Sequence, residues 1–431
     1  MKTKPALLCL GVLIVLRANH VFAETALDIE AAVGIALEKN LSLERSRMES
    51  ASAKRRYGRS WNSLIPSLEA GVLAARPTSI TGPVPPESNT WMPGFSLSAG
   101  LQLSPSLVTD IKRTKEDYEA GLLNYAAARQ DLEFQVRRLY YQLLVLRANT
   151  ELMEQNAAGA QGRYEQIRAR QRAGQASNLE ELSARLDVQT RRTDAQSAAA
   201  AYENALDSLK HLLMIPPEET IVLRGALQTL SFAEAEISAE TSGEAPAIGA
   251  LRKTISSLEA QRRGLRISSY APSLNLSWNA SPLYSGKTHD WTDSGLFSIT
   301  LSIKPDNFLP WSRAKEEIDS LSDSIAMGQN QLRESILGRQ NAIQKLRRDI
   351  AQSGEAVETL RLNVTLAGES YRAYEDAYRR GAVDIQSLYS ARDNVLLAEN
   401  QLLSEQYNLA AAILELEKEL ALPFGTLMRW E

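Results

Sequence analysis

Cysteine is almost absent from this sequence and histidine nearly so, with one Cys and three His in 431 residues. Cys9 lies inside an eleven-residue apolar run, Ala6 to Leu16, that follows Lys2 and Lys4. A basic start followed by a short apolar run is the order of a secretory signal peptide. The run is too short to span a bilayer, which needs about 20 residues. Val21 and Ala23 supply the small residues of a cleavage site, so residues 1–23 are expected to be removed before Glu24. Cys9 and His20 leave with them, and the mature chain then has no thiol for a disulfide, a lipid anchor or an iron–sulfur cluster. His211 and His289 are far apart in sequence with no Cys beside either. No metal site and no cofactor follow from that pattern.

Excess positive charge is missing too. Loss of Lys2, Lys4 and Arg17 leaves 45 basic against 52 acidic residues, a net −7, which argues against a nucleic-acid partner. No later stretch has the length and hydropathy of a transmembrane helix, so any membrane contact must be made by strands. Catalytic signatures are also lacking. Ser312-Arg313-Ala314-Lys315 has a Ser-x-x-Lys spacing, but its companion motifs are missing and it falls in the first turn of a helix after Pro310. The expectation is a non-enzymatic chain with no catalytic residue.

What the sequence does contain is a repeat. At an offset of 207, Tyr164, Arg172, Gly174, Ser183-Ala184-Arg185, Val188, Leu209, Leu213 and Pro216 meet Tyr371, Arg379, Gly381, Ser390-Ala391-Arg392, Val395, Leu416, Leu420 and Pro423. Upstream, after a one-residue slip, Arg56, Gly58 and Pro66-Ser67-Leu68 meet Arg262, Gly264 and Pro272-Ser273-Leu274. A run of identities in a fixed register marks a tandem duplication. The expected halves are residues 24–216 and 244–423, joined by 217–243, with a tail at 424–431.

Each half carries the same parts in the same order. From about Leu107 to Arg172, and from about Trp311 to Arg380, Ala, Leu, Glu, Arg and Gln predominate without proline, the composition of long helices. Each ends at a glycine, Gly174 or Gly381, suited to a left-handed C-terminal cap. A return helix follows each tip, at 174–178 and 381–384. Ser177-Asn178-Leu179-Glu180 reads as a capping box and Asp384 as an N-cap. The return helices stop before Pro216-Pro217 and Pro423. In the linker, Ile221-Val222-Leu223 reads as a short strand.

Two strand pairs, within 66–104 and 272–304, alternate with period two. Phe95 to Ser104 and Phe297 to Lys304 place apolar residues on one face and small or polar ones on the other. Ser67 to Ala74 and Leu274 to Ser281 are their partners. Transmembrane strands of about 9–11 residues alternate between lipid and lumen in this way. Trp91 and Trp291 precede the second strand of each pair, and Trp61 and Trp311 flank the opposite ends, as interfacial aromatics would. The turn-rich loop Thr81-Gly82-Pro83-Val84-Pro85-Pro86 is expected on the exterior. Four strands cannot close a barrel, because the smallest membrane barrels have about eight. Subunits must share one, and three copies would leave room for a lumen.

With Leu27 to Val33, Ala36 to Asn40, the Pro-Ser-Leu strand starts and the glycine-centred tips, the mature chain resembles the TolC family of outer-membrane channels. The resemblance implies an α+β membrane protein in which long helical hairpins build a periplasmic helical barrel. Four strands per chain would contribute to a homotrimeric twelve-stranded barrel in outer-membrane lipid. It further implies an exit duct for a drug-efflux pump or type I secretion system, working with a periplasmic adaptor (membrane fusion protein) and an inner-membrane transporter. Most of the mass would lie in the periplasm. A periplasmic coiled-coil adaptor or a non-conducting scaffold is the alternative.

Carried over from the family, the gate residues are Glu180, linked to Tyr378, together with Ser387 and Ser390. The sequence departs from the family there: Val383 replaces a gate arginine, and Ser387 and Ser390 replace the aspartates of a cation-binding ring. Adaptor docking would involve Gly174, Gln175, Gly381 and Ala382.

Overall fold

The computed structural model describes residues 25–76, 91–225, 230–232, 243–285, 289–292 and 294–430. The expected signal peptide, the loop 81–86 and part of the 217–243 segment lie outside the described residues. In chain order the elements are β1 (Thr25–Leu27), α1 (Ile29–Lys39), α2 (Leu41–Gly58), β2 (Ser67–Ala75) and β3 (Met92–Leu103). Next come α3 (Leu107–Arg172), α4 (Asn178–Leu213), β4 (Ile221–Leu223) and β5 (Leu230–Phe232). The second half has α5 (Pro246–Tyr270), β6 (Ser273–Ala280), β7 (Tyr284–Ser285), β8 (Asp290–Trp291) and β9 (Gly295–Ser302). It ends with α6 (Arg313–Arg379), α7 (Ile385–Leu420) and β10 (Met428–Trp430). No described helix is long and apolar enough to cross a membrane.

Two compact units divide the chain, one of residues through Ala36 with Gln142–Leu227, the other of Leu37–Tyr141 with Gln228–Glu431. In the first, β1 pairs in parallel with β4, Ala26 opposite Val222. Leu27, Ile221 and Leu223 are buried there. Arg147 clamps the end of β4, its Nη1 donating to the Leu223 carbonyl at 2.7 Å and its Nη2 to that of Gly225. Arg163 on α3 meets Asp187 on α4 at 3.7 Å, tying the outgoing helix to the returning one.

The second unit holds the other long pair and the main sheet. α6 has 67 residues and α7 has 36. At about 1.5 Å per residue α6 runs roughly 100 Å, a length no single small core can bury. Its packing is instead a succession of local seams. Ala314, Ile318, Ile325, Leu346, Ile350 and Val357 on α6 are buried, as are Leu409, Ile413, Leu416 and Leu420 on α7. The repeat is visible in the packing: a Cβ on Gly121 of α3 would lie 3.5 Å from Ser50 of α2, and one on Gly328 of α6 would lie 3.1 Å from Ile255 of α5.

Below α7 the chain turns through a buried carboxylate. Glu417 is fully buried, and it accepts from Gly425 N at 2.9 Å and Leu427 N at 2.6 Å. Arg339 donates to the Glu419 carbonyl at 2.6 Å and to that of Gly243 at 2.9 Å. The tail then forms β10, which pairs antiparallel with β5, Met428 opposite Phe232. These strands lie in the segments expected as linker and tail; at three residues each they are too short for a period to show.

The main sheet is antiparallel in the order β2-β3-β6-β9. Its strands overlap the expected ones, with β3 starting three residues early, because Met92 pairs with Ala75 across the loop. β6 to β9 is not a plain loop: β7 and β8 pair within it, Tyr284 opposite Trp291.

Candidate lipid-facing sheet and hairpin-tip gate

Register decides what the sheet presents. Leu68 lies opposite Ala99, Val72 opposite Phe95, Ala99 opposite Trp278, Leu101 opposite Leu276, and Leu276 opposite Ile299. Because side chains alternate at every residue, one face collects Leu68, Ala70, Val72, Phe95, Leu97, Leu101, Leu276, Trp278, Phe297, Ile299 and Leu301. No described polar side chain interrupts it. These residues are not a covered core: Leu68 is 82%, Val72 93%, Ile299 64% and Leu301 71% exposed. Opposite lie Ser96, Ser98, Gln102, Asn275, Ser277, Asn279, Ser298 and Thr300, with Leu73, Met92 and Leu296 the large apolar exceptions. Ser277 and Ser298 bond laterally at 2.7 Å, and Ser273 and Ser302 at 2.9 Å.

At one end of the apolar face, the Trp291 ring is 5.5 Å from Phe95 and 5.5 Å from Tyr284. Toward the other end, the Tyr270 and Phe308 rings lie 5.3 Å apart, tilted at 54°, and Trp61 and Trp311 are exposed. Water-exposed apolar area of this extent on a sheet calls for lipid or a partner.

The first hairpin tip is built by its own backbone. Gly174 has φ +74°, its N–H donates to Gln171 O at 2.9 Å, and Gln175 N donates to Arg170 O at 2.8 Å. That pair of bonds is a Schellman cap. Ser177 starts α4: its Oγ accepts from Glu180 N at 3.1 Å, and Glu180 Oε2 accepts from Ser177 N at 2.7 Å. One carboxylate oxygen of Glu180 is thus committed to the capping box, and Oε1 has no partner among the described residues. Gln171 Nε2 bonds Asn178 Oδ1 at 2.9 Å and closes the tip.

The second tip repeats the design with other side chains. Gly381, φ +74°, donates to Tyr378 O at 2.9 Å, and Ala382 N donates to Ala377 O at 2.9 Å. Asp384 Oδ1 accepts from Ser387 N at 2.8 Å, and hydrogen bonds from the Ser387 side chain and backbone hold the Asp384 carboxyl below its ordinary range. Ser387 therefore faces the cap, whereas Ser390 is exposed. Tyr378 is half-buried and Val383 likewise. Arg379 pairs with Glu375 at 2.8 Å. Behind the two serines lie buried Tyr389 and Arg392, the guanidinium 5.5 Å from the ring. That pair escaped sequence reading because only the α7 burial face brings it inward.

Glu180, Gly174 and Gln175 thus gather at the first tip, in the first unit. Tyr378, Gly381, Ala382, Ser387 and Ser390 gather at the second, in the other unit. Among the described residues no group of His, Cys, Asp and Glu could hold a metal ion.

Residues 32–213 match the family model described as outer membrane efflux protein. No curated protein sequence matches the chain. Among solved structures, the Campylobacter jejuni CmeC outer membrane channel superposes with a TM-score of 0.80 at 16% identity, covering 91% of this chain and 85% of that one. The Vibrio cholerae outer membrane protein VceC gives 0.76 at 14%, covering 92% and 96%. The open state of the Neisseria gonorrhoeae MtrE outer membrane channel gives 0.75 at 19%, covering 91% and 89%. The outer membrane efflux protein model thus matches the first helical half, and the fold of such channels extends over nine-tenths of the length.

Proposed function

We propose that this protein is an outer-membrane exit duct, a passive channel whose sheet contributes to a shared β-barrel and whose helical tips form a periplasmic entrance. The observation that carries this is the sheet: one face wholly apolar and exposed, the other polar, with β2 and β9 as open edges. In hydrocarbon an open edge leaves backbone groups unsatisfied at several kcal/mol each. Edges must therefore meet edges of other copies. Three copies give twelve strands, enough for a water-filled lumen lined by the serine, asparagine and glutamine face.

Such a duct needs an adaptor and an inner-membrane transporter to open it and supply cargo, for a tripartite efflux pump or a type I secretion system. The tips are where an adaptor would dock, at Gly174, Gln175, Gly381 and Ala382. Glu180 at the first tip and Tyr378 at the second would take part in closing the entrance. The work is conduction, not catalysis. Reconstitution into planar bilayers tests the reading: stepwise conductance is expected, and Glu180→Gln with Tyr378→Phe should raise it by loosening the entrance. A protein found in the soluble periplasmic fraction, giving no conductance, would overturn it.

A further inference from the structure

The sheet contains its own duplication. Ser67 pairs with Gly100 in the first hairpin and Ser273 with Ser302 in the second. Moving β2 onto β6 shifts residue numbers by 206, and moving β3 onto β9 shifts them by 202. The two hairpins are joined by β3 and β6, antiparallel, with Gln102 opposite Asn275, Leu101 opposite Leu276 and Leu97 opposite Ala280. That joint is one step from a first-half hairpin to a second-half hairpin. A ring built from copies of this chain needs the complementary step, from β9 of one copy to β2 of the next.

Applying the same two shifts to the observed joint gives the register of that step. Gln102 becomes Lys304 and Asn275 becomes Glu69, so Lys304 falls opposite Glu69 of the next copy. Leu101 and Leu276 become Ile303 and Ala70, Ala99 and Trp278 become Leu301 and Val72, and Leu97 and Ala280 become Ile299 and Ala74. Apolar residues meet apolar residues throughout, so both faces continue across the seam. A slip by one residue would exchange the faces.

Charge supports the same register independently of the symmetry. Glu69 is the only ionisable residue in the four strands β2, β3, β6 and β9, and Lys304 is the first cation past the end of β9. Both are exposed, and neither forms an ion pair with a described residue of its own chain. Lys304 keeps extended backbone, φ −106° and ψ 95°, so the strand direction persists through it. Pro305 then ends any ladder. Residues directly opposite on neighbouring strands have Cβ atoms about 5 Å apart, within reach of an ion pair.

Resting on the shared-barrel reading above, we propose that β9 of one copy pairs antiparallel with β2 of the next in this register, sealed on the lumen face by a Lys304–Glu69 ion pair. Cysteine pairing tests it, since the only native cysteine is Cys9. Detergent-extracted Glu69→Cys/Lys304→Cys protein should form reducible covalent dimers and trimers on oxidation. Each single variant should not, and Glu69→Cys/Ser302→Cys, one diagonal away, should cross-link several-fold less. In a second measurement, E69K or K304E alone should lower the temperature at which the oligomer dissociates, and the double exchange should restore it. An oligomer of normal native mass that cross-links better in the Ser302 pairing, or in neither, overturns the register while leaving the shared barrel standing. A monomer in detergent overturns both.

Discussion

Glu417 shows how one side chain can fix a turn. Its two oxygens take the N–H groups of Gly425 and Leu427, and it is fully buried. Truncation to Ala would leave both donors without a partner, at roughly 1–3 kcal/mol each, so Glu417→Ala should lower the melting temperature clearly. Calorimetry in detergent checks this, and an unchanged melting temperature would contradict it. Burial raises the Glu417 carboxyl above its ordinary value, against the pull of the Leu427 and Gly425 N–H groups. The folded chain therefore holds a proton the unfolded chain has released, and stability falls as pH rises from the ordinary carboxyl value through the raised one. Asp384 has the opposite sign. Its carboxyl is held low by Ser387, so its contribution is present above the unfolded-state value and is lost as pH falls through the lower folded-state one. The protection of the Ser387 amide, its exchange rate relative to the intrinsic rate at the same pH, should fall on acidification through that window, and Asp384→Ala should abolish that change. Asp384 and the Ser177–Glu180 box were legible in the sequence, because caps are local. Glu417 was not: nothing distinguishes it from Glu415 or Glu419 until the chain has turned back to bring residues 425 and 427 over it.

Helix ends repeat at 207-residue spacing in geometry as well as in sequence. Gly174 and Gly381 share φ +74°, and Met214 and Ala421 share φ +55°. At the second pair of positions a side chain occupies a left-handed cap that glycine suits better. Ala421→Gly should therefore stabilise the fold by roughly 0.5–1 kcal/mol, and Gly381→Ala should cost about 1 kcal/mol. A Cβ on Gly381 meets nothing within 4 Å, so that loss is backbone strain alone; urea titrations of the two variants should move in opposite directions. The tip glycines announced themselves in the sequence, whereas Met214 and Ala421 did not, since only the following prolines mark those ends. Long helices and strands of eight to twelve residues were legible because their periods run for many residues. The β1–β4 and β5–β10 pairings were not, because three residues carry no period and their partners lie far along the chain.

For the whole molecule, the decisive property is a sheet with one wholly apolar, exposed face and two open edges, β2 and β9. Its two-faced character was readable from alternation alone, and the pairing register then brought all four apolar rows to one side. The proposed entrance rests on resemblance, since Glu180, Tyr378, Ser387 and Ser390 occupy ordinary helix-terminal positions. In the proposed gate Ser387 and Ser390 stand where aspartates would bind cations, so three subunits would lack six carboxylates at the constriction. Polyvalent cations should block conductance weakly, and Ser387→Asp with Ser390→Asp should create block in the low-salt range where charges are least screened. Strong block of the unaltered channel would contradict that account. The most direct test of the shared barrel is the native mass of the protein extracted from the outer-membrane fraction, corrected for bound detergent. The account predicts three copies per particle; a water-soluble monomer would contradict it.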